Sequence, residues 1–276
     1  MDLLSQLIEH FSIRAGVFYS GHLCGVSSIK EDKVTKKGHL HILKSGQLTL
    51  RDAHSKQLTI DKPCVIYLPK ANPHVIEGLG KGAQLVCATV EYRTGQVNPL
   101  LSALPSVIVI PLSAAPSFLP VIDVLFYESG EQAAGSQFLM DKLSDAMMAL
   151  IFRYLIEQQQ ISNGLFAGLA HPRLANVMAA IHQLPPQAHT IEELAEIALM
   201  SRTHFMDSFK LTVGETPGDY SQKWRITVAQ SMLMQKKPLN WVADEVGYDS
   251  YSGFSRAFRK VTGIAPRKWL KQKHLS

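Results

Sequence analysis

The chain has 276 residues, 46% of them hydrophobic and 18% charged, which is ample core material for one large globular domain or two ordinary ones. No run approaches 18 uncharged apolar residues, which excludes a membrane-spanning helix, and three cysteines are too few and too odd a number for a disulfide framework. The excess charge is C-terminal: residues 1–170 hold 14 Lys and Arg against 14 Asp and Glu, whereas residues 223–276 hold 11 against 3, so a basic terminal section points to a polyanionic partner or, more plainly, to a solvated helical surface.

The opening "MDLLSQLIEHFSIRAG" carries Asp2, Glu9 and His10 where a signal peptide needs a basic start and an apolar centre, so it reads as an N-terminal helix of a cytoplasmic protein. From about 15 to 95 the runs "HLHILKSGQLTLRD", "KQLTIDKPCVIYLP" and "AQLVCATVEY" alternate and are separated by the turn clusters "KSG", "DAHSK" and "PKANPH", the pattern of a β-barrel or sandwich. From about 116 to 160 the pattern becomes helical, with Leu139, Leu143, Met147, Leu150 and Tyr154 on one stripe, a face for a homodimer or for packing on the barrel wall. The polar "EQQQISNG" then reads as a linker.

Beyond His171 every periodic segment is helical, and a repeat is present. Leu194, Ala195 and Ala198 recur 48 residues later as Val242, Ala243 and Val246; Phe205, Phe209, Gly214 and Pro217 recur 49 residues later as Phe254, Phe258, Gly263 and Pro266. Two copies of one helix-turn-helix unit follow, with Thr190 and Glu193 as a capping box, and Ser201 and Asp249 as caps of the second helices. In a helix from about 250 to 261, Phe254, Ala257, Phe258 and Val261 share one face, while Tyr251, Ser252, Ser255, Arg256 and Arg259 share the other. The first face packs and the second is free to meet DNA: Arg256 suits a guanine edge, Ser252 and Tyr251 lie on the end that enters the groove, and Arg259 and Lys260 suit phosphates. The first copy offers Arg202, Thr203, Met206 and Asp207, with Asp207 where the second has Arg256, so that half is expected to read more weakly. Between the copies "TPGDYSQKWRITVAQSMLM" reads as one helix of roughly 27 Å, a spacer that sets two reading helices in successive major grooves roughly 34 Å apart.

The segments "AEIALMSRTHFMDSFKLTVGETPGDY" and "VADEVGYDSYSGFSRAFRKVTGIAPRKW" strongly resemble the DNA-binding domain of AraC/XylS-family transcriptional regulators. Upstream, "GHLHILKSGQLTL", "VIYLPKANPHVI", "CATVEY" and "NPLLSALPSVIVI" resemble the cupin domain of one subgroup, nearest to the regulators that respond to reactive chlorine species. The resemblance implies an α+β protein: a cupin β-barrel sensor with a helical segment over 1–160, and an all-α DNA-binding domain over 171–276 with two helix-turn-helix units joined by a linker helix. It also implies double-stranded DNA and RNA polymerase as partners.

Within the cupin section His39 and His41 point to one face of a strand, His74 follows "NP", and Cys24 and Cys87 lie in apolar runs. Two imidazoles and two thiolates are the ligand set of a tetrahedral zinc site. The bland alternative is that each is an ordinary core residue. Cys24, His41, His74 and Cys87 match the subgroup's pattern, which makes them the candidate site for zinc, another transition metal or thiol chemistry; Cys64, after Pro63, reads as a strand filler. "HLHILKSGQ" lacks the carboxylate that cupin enzymes place after the histidine pair, which counts against an oxygenase. The favoured function is a DNA-binding regulator, not an enzyme, whose cupin domain senses an oxidant, a metal or a small molecule. The alternatives are a regulator answering a small organic effector without thiol or metal chemistry, and a cupin enzyme with a basic tail.

Overall fold

The computed structural model describes residues 2–29, 37–52, 56–70, 72–92, 101, 104–131, 133–159, 161, 163–183 and 189–274. They divide into two compact units. One comprises 12–92 and 105–154; the other comprises 1–11, 93–104 and 155–276. The expected linker thus lies close to the division, whereas the first eleven residues, expected with the cupin section, cluster with the helical unit.

The first unit is built on a six-stranded antiparallel sheet: β1 (Arg14–Ile29), β2 (Gly38–Asp52), β3 (Gln57–Ile60), β4 (Cys64–Leu68), β5 (His74–Glu91) and β6 (Ile108–Pro111), in the order β1-β5-β2-β4-β6 with β3 paired to β2. The expected "KSG" turn is instead a bulge within the single strand β2, whose register against β5 shifts between Leu43 and Ser45 and between Gly46 and Gln47. Gly46 has φ +92°, and a Cβ there would stand 2.2 Å from the Gly82 carbonyl oxygen, so the bulge requires glycine. Leu43, Leu48, Leu50, Ile66, Leu68 and Leu85 form the apolar core of this unit together with Cys64 and Cys87.

The sequence reading does not isolate β1, because its residues are mostly half-buried or exposed and show no clean alternation. Among the described strands it pairs only with β5, and side chains cover its other edge. Two carboxylates on the helix Ser136–Glu157 accept from β1 backbone amides, Asp145 from Ala15 N–H at 2.7 Å and Asp141 from Val17 N–H at 2.8 Å. Such charged covers block edge-to-edge pairing. The helical segment comprises α2 (Leu119–Glu131) and this helix, α3 (Ser136–Glu157). Its expected stripe divides: Met147 and Tyr154 are buried, Leu143 and Leu150 half-buried, and Leu139 exposed.

The second unit contains α1 (Leu3–His10), α4 (Leu165–Ala170), α5 (Leu174–Gln183), α6 (Ile191–Ile197), α7 (Arg202–Val213), α8 (Pro217–Met234), α9 (Leu239–Glu245), α10 (Tyr251–Thr262) and α11 (Pro266–His274). The helix α6 starts on the full capping box of Thr190 and Glu193. The helix α8 starts on Thr216, whose side chain accepts from Asp219 N–H, with Pro217 at its first position. Its 18 residues join the two helix-turn-helix units as the pattern predicts, with Tyr220, Trp224 and Val228 buried.

Candidate DNA interface and sensor site

Each unit's second helix is defined at both ends by local chemistry. Ser201 caps α7 by accepting from His204 N–H, and Gly214 at φ 85° closes it. Ser250 caps α10 by accepting from Gly253 N–H at 3.2 Å, and Gly263 at φ 81° closes it. The expected cap Asp249 is therefore off by one residue. Ser250 is the position 49 residues after Ser201, so the repeat register itself identifies the serine.

The two-faced reading of α10 matches the structure. Phe254 and Phe258 are fully buried with rings 5.6 Å apart, Ala257 is buried, and Phe258 meets Trp269 of α11 at 5.8 Å. Val261, expected on that face, is half-buried. On the other side Ser252, Arg256, Arg259 and Lys260 are exposed, and Tyr251 and Ser255 half-buried. Among the described residues neither Arg256 nor Arg259 has an ion pair, whereas Lys260 meets Asp219 of α8 at 3.4 Å. Phosphate binding by Lys260 must therefore displace a carboxylate, a distinction that three neighbouring cations in a sequence do not reveal.

The outer face of α7 is chemically different. Arg202, Thr203 and Asp207 are exposed and Met206 is half-buried, but Arg202 is drawn to Glu192 at 3.1 Å. Leu211, at the place of Lys260, is also exposed. With its arginine paired and an acidic residue at the place of Arg256, α7 offers a phosphate backbone fewer free cations than α10, although Lys210 is exposed at the place of Arg259.

In the sheet unit, His41 and His74 come together. Their Nε2 atoms lie 2.9 Å apart, and His39 joins them with its ring 5.0 Å from that of His74. His74 Nδ1–H donates to the Asn72 carbonyl at 3.1 Å, which leaves its Nε2 as acceptor and makes His41 Nε2–H the donor. His41 Nδ1 is then a buried lone pair with no hydrogen-bond partner among the described residues. Burial, and then the neighbouring His74 and His39, hold His41 well below the usual imidazole range; burial also lowers His74, against the opposing Asn72 hydrogen bond.

The thiols lie in contrasting surroundings. Cys87 pairs in register with His41 across β2 and β5 and with Tyr19 across β1 and β5, and burial pushes its thiol up to about 12. Cys24 is exposed beside a register shift in β1, its thiol 3.8 Å from the Lys81 carbonyl. Cys64 is buried in the same apolar cluster, and burial pushes its thiol up to about 12 as it does that of Cys87. Tyr19, which sequence reasoning missed, links the two candidate thiols: its phenol is raised by burial and then by Cys87 and Cys24. Among the described residues no group of three or more His, Cys, Asp or Glu side chains is arranged to hold a metal ion.

Residues 2–157 match the family described as Cupin, and residues 194–272 match that described as a helix-turn-helix domain. An uncharacterized HTH-type transcriptional regulator of Haemophilus influenzae is 27% identical, over 98% of this chain and 99% of its own. The RCS-specific HTH-type transcriptional activator RclR of Escherichia coli is 27% identical over 83% and 82%, and the HTH-type transcriptional regulator MtrA of Neisseria gonorrhoeae is 23% identical over 99% and 99%. With the cupin match spanning more than half of the chain and a helix-turn-helix section carried by α6 to α11, the chain belongs to the cupin-bearing AraC-type transcriptional regulators.

Proposed function

We propose that this DNA-binding regulator is switched at the sheet unit by an oxidant or a metal, with Cys24, His41, His74 and Cys87 as the responding set. The observation that carries the reading is the buried His41–His74 pair. Two neutral imidazoles at hydrogen-bond distance, one with its tautomer fixed by Asn72, would offer a metal ion two nitrogen donors once the His41 proton moved from Nε2 to its unpartnered Nδ1. Zinc or another transition metal bound there would keep a thiol ligand deprotonated, which the apolar surroundings of Cys87 otherwise oppose. Exposure makes Cys24 the thiol that an oxidant meets first.

The apolar cluster around Cys87 favours a second reading, a small organic effector held against the inner face of the sheet. In either case the regulator acts through RNA polymerase, and Leu139, the exposed residue of the α3 stripe, is where we place a homodimer contact.

The two readings separate by experiment. Metal analysis of anaerobically purified protein, with thiols counted before and after mild oxidant, should give bound metal that is released as Cys24 and Cys87 are consumed. Cys24→Ser or Cys87→Ser should leave DNA binding intact and abolish the response, a coupling of about 1–3 kcal/mol, while Cys64→Ser keeps it. Full signal-dependent transcription from the Cys24→Ser, Cys87→Ser double variant would sink the thiol reading and favour the organic effector.

A further inference from the structure

The helix α1 precedes the first strand of the sensor, yet it packs within the helical unit. Leu7 and Phe11 are fully buried there. The His10 ring lies 4.7 Å from the Trp224 indole on α8, and Phe11 lies 6.1 Å from it. A second histidine, His182 of α5, packs on the same indole at 4.0 Å and shares a 2.7 Å hydrogen bond between its Nε2 and the Tyr220 hydroxyl. His10 as a whole is half-buried, but its Nε2 is sealed from solvent, and so are His182 Nδ1 and Trp224 Nε1; none of the three has a hydrogen-bond partner among the described residues. The second polar contact of His10 is with the Thr227 backbone carbonyl.

We propose that α1 is a proton-releasable clasp: it is fastened to the helix joining the two helix-turn-helix units while His10 and His182 are neutral, and it is let go when they take up protons. Two imidazoles pack on one indole, each with a ring nitrogen sealed from solvent, so a proton added at that nitrogen is a charge without hydration. Among the described residues no carboxylate forms an ion pair with either histidine. The other titratable groups on the turns that carry the cluster are Glu9, Tyr220, Lys223 and Arg225; Lys223 is held by Glu215 at 2.6 Å, and Glu215 acts on Tyr220 rather than on either histidine. The helix α5 carries no other charged side chain.

The sign follows from burial. It lowers His10 to about 4 and, with His10 adding repulsion, His182 to about 3, both below the ordinary 6.5. Docking is therefore fully present above about pH 6.5 and weakens as pH falls toward the docked values, by about tenfold per pH unit for each histidine that is freed. The segment that leads into β1 is by this means tied to the spacer of the two reading heads, independently of any thiol or metal chemistry.

Amide hydrogen exchange of residues 3–11 in the full chain, corrected for intrinsic rates, tests the clasp. Between pH 7.5 and 5.5 protection should fall about tenfold through His10 and by up to a further tenfold through His182. His10→Phe, which fills the site without a titrating group, should keep the protection at pH 7.5 and lose most of the pH response. A change below threefold in the unsubstituted protein, or an undiminished pH response in His10→Phe, overturns the proposal. If His10→Phe fails to dock, ring NMR of the unsubstituted protein decides: His10 titrating below pH 5 supports the clasp, and His10 titrating near 6.5 contradicts it.

Discussion

Leu199 holds a backbone position better suited to glycine. It sits at φ 54° in the turn of the first helix-turn-helix unit, where the second unit has Gly247 at φ 77°. A left-handed conformation costs a residue with a Cβ roughly 1–2 kcal/mol, and Leu199, 82% exposed, has little packing to offset it. Leu199→Gly should therefore raise the unfolding free energy by about 0.5–1 kcal/mol after the entropy of the freer unfolded chain is subtracted, as read from a urea melt. A loss of stability would mean that the leucine side chain makes a contact more valuable than the strain it imposes. The same position shows what a sequence conceals at this scale. The repeat aligns Leu199 with a glycine and so marks the site, but which cations are engaged does not follow from their order along the chain. Arg202 and Lys260 are committed to Glu192 and Asp219, and Arg256 is not. Those partnerships join residues 10 and 41 positions apart.

At the scale of elements, the helices were legible because their signals are local. Caps, closing glycines and an apolar stripe lie within one segment, and α8 and α10 fall where periodicity places them. The cap of α10 discriminates between adjacent candidates. Ser250→Ala should destabilise the helical unit by about 1 kcal/mol, while Asp249→Ala should stay within about 0.5 kcal/mol; thermal melts with the order reversed would restore the aspartate as the cap. The strands were legible where alternating or apolar runs stand between turn signals. The segments of β2, β3 and β4 reveal themselves in this way, whereas β1 is an edge strand completed by Asp141 and Asp145 from more than a hundred residues away, a contact that no local pattern announces. The bulge at Gly46 was read as a turn for a related reason. Glycine after a polar pair signals either feature, and only the close approach of Gly82 decides.

For the whole molecule, the candidate DNA interface could be read from the sequence because its residues lie on one helix, whose periodicity sets their common face. The candidate site of the sheet unit could be read only in part. The resemblance suggested four residues; folding joins His41 to His74, brings in His39, sets Cys87 opposite His41 on the neighbouring strand and leaves Cys24 exposed. Convergence of side chains from β1, β2 and β5 depends on strand register, which long separations leave open. The asymmetry of the two helices follows from the same comparison: among the described residues α10 offers two arginines without an ion pair, and α7 a paired one with Asp207 at the place of Arg256 and Lys210 at that of Arg259, so the operator should be read unequally by its two halves. The central claim is that α10 reads base edges through Arg256. The most direct measurement selects a binding site from random duplexes, then compares the full chain with Arg256→Ala on that site, on each of its single-base variants and on random DNA, all at one salt concentration. Arg256→Ala should lose about 1–3 kcal/mol on the selected site, with preference relaxed at one base pair and little change on random DNA. An equal loss on selected and random DNA would contradict that claim and reduce Arg256 to a phosphate clamp.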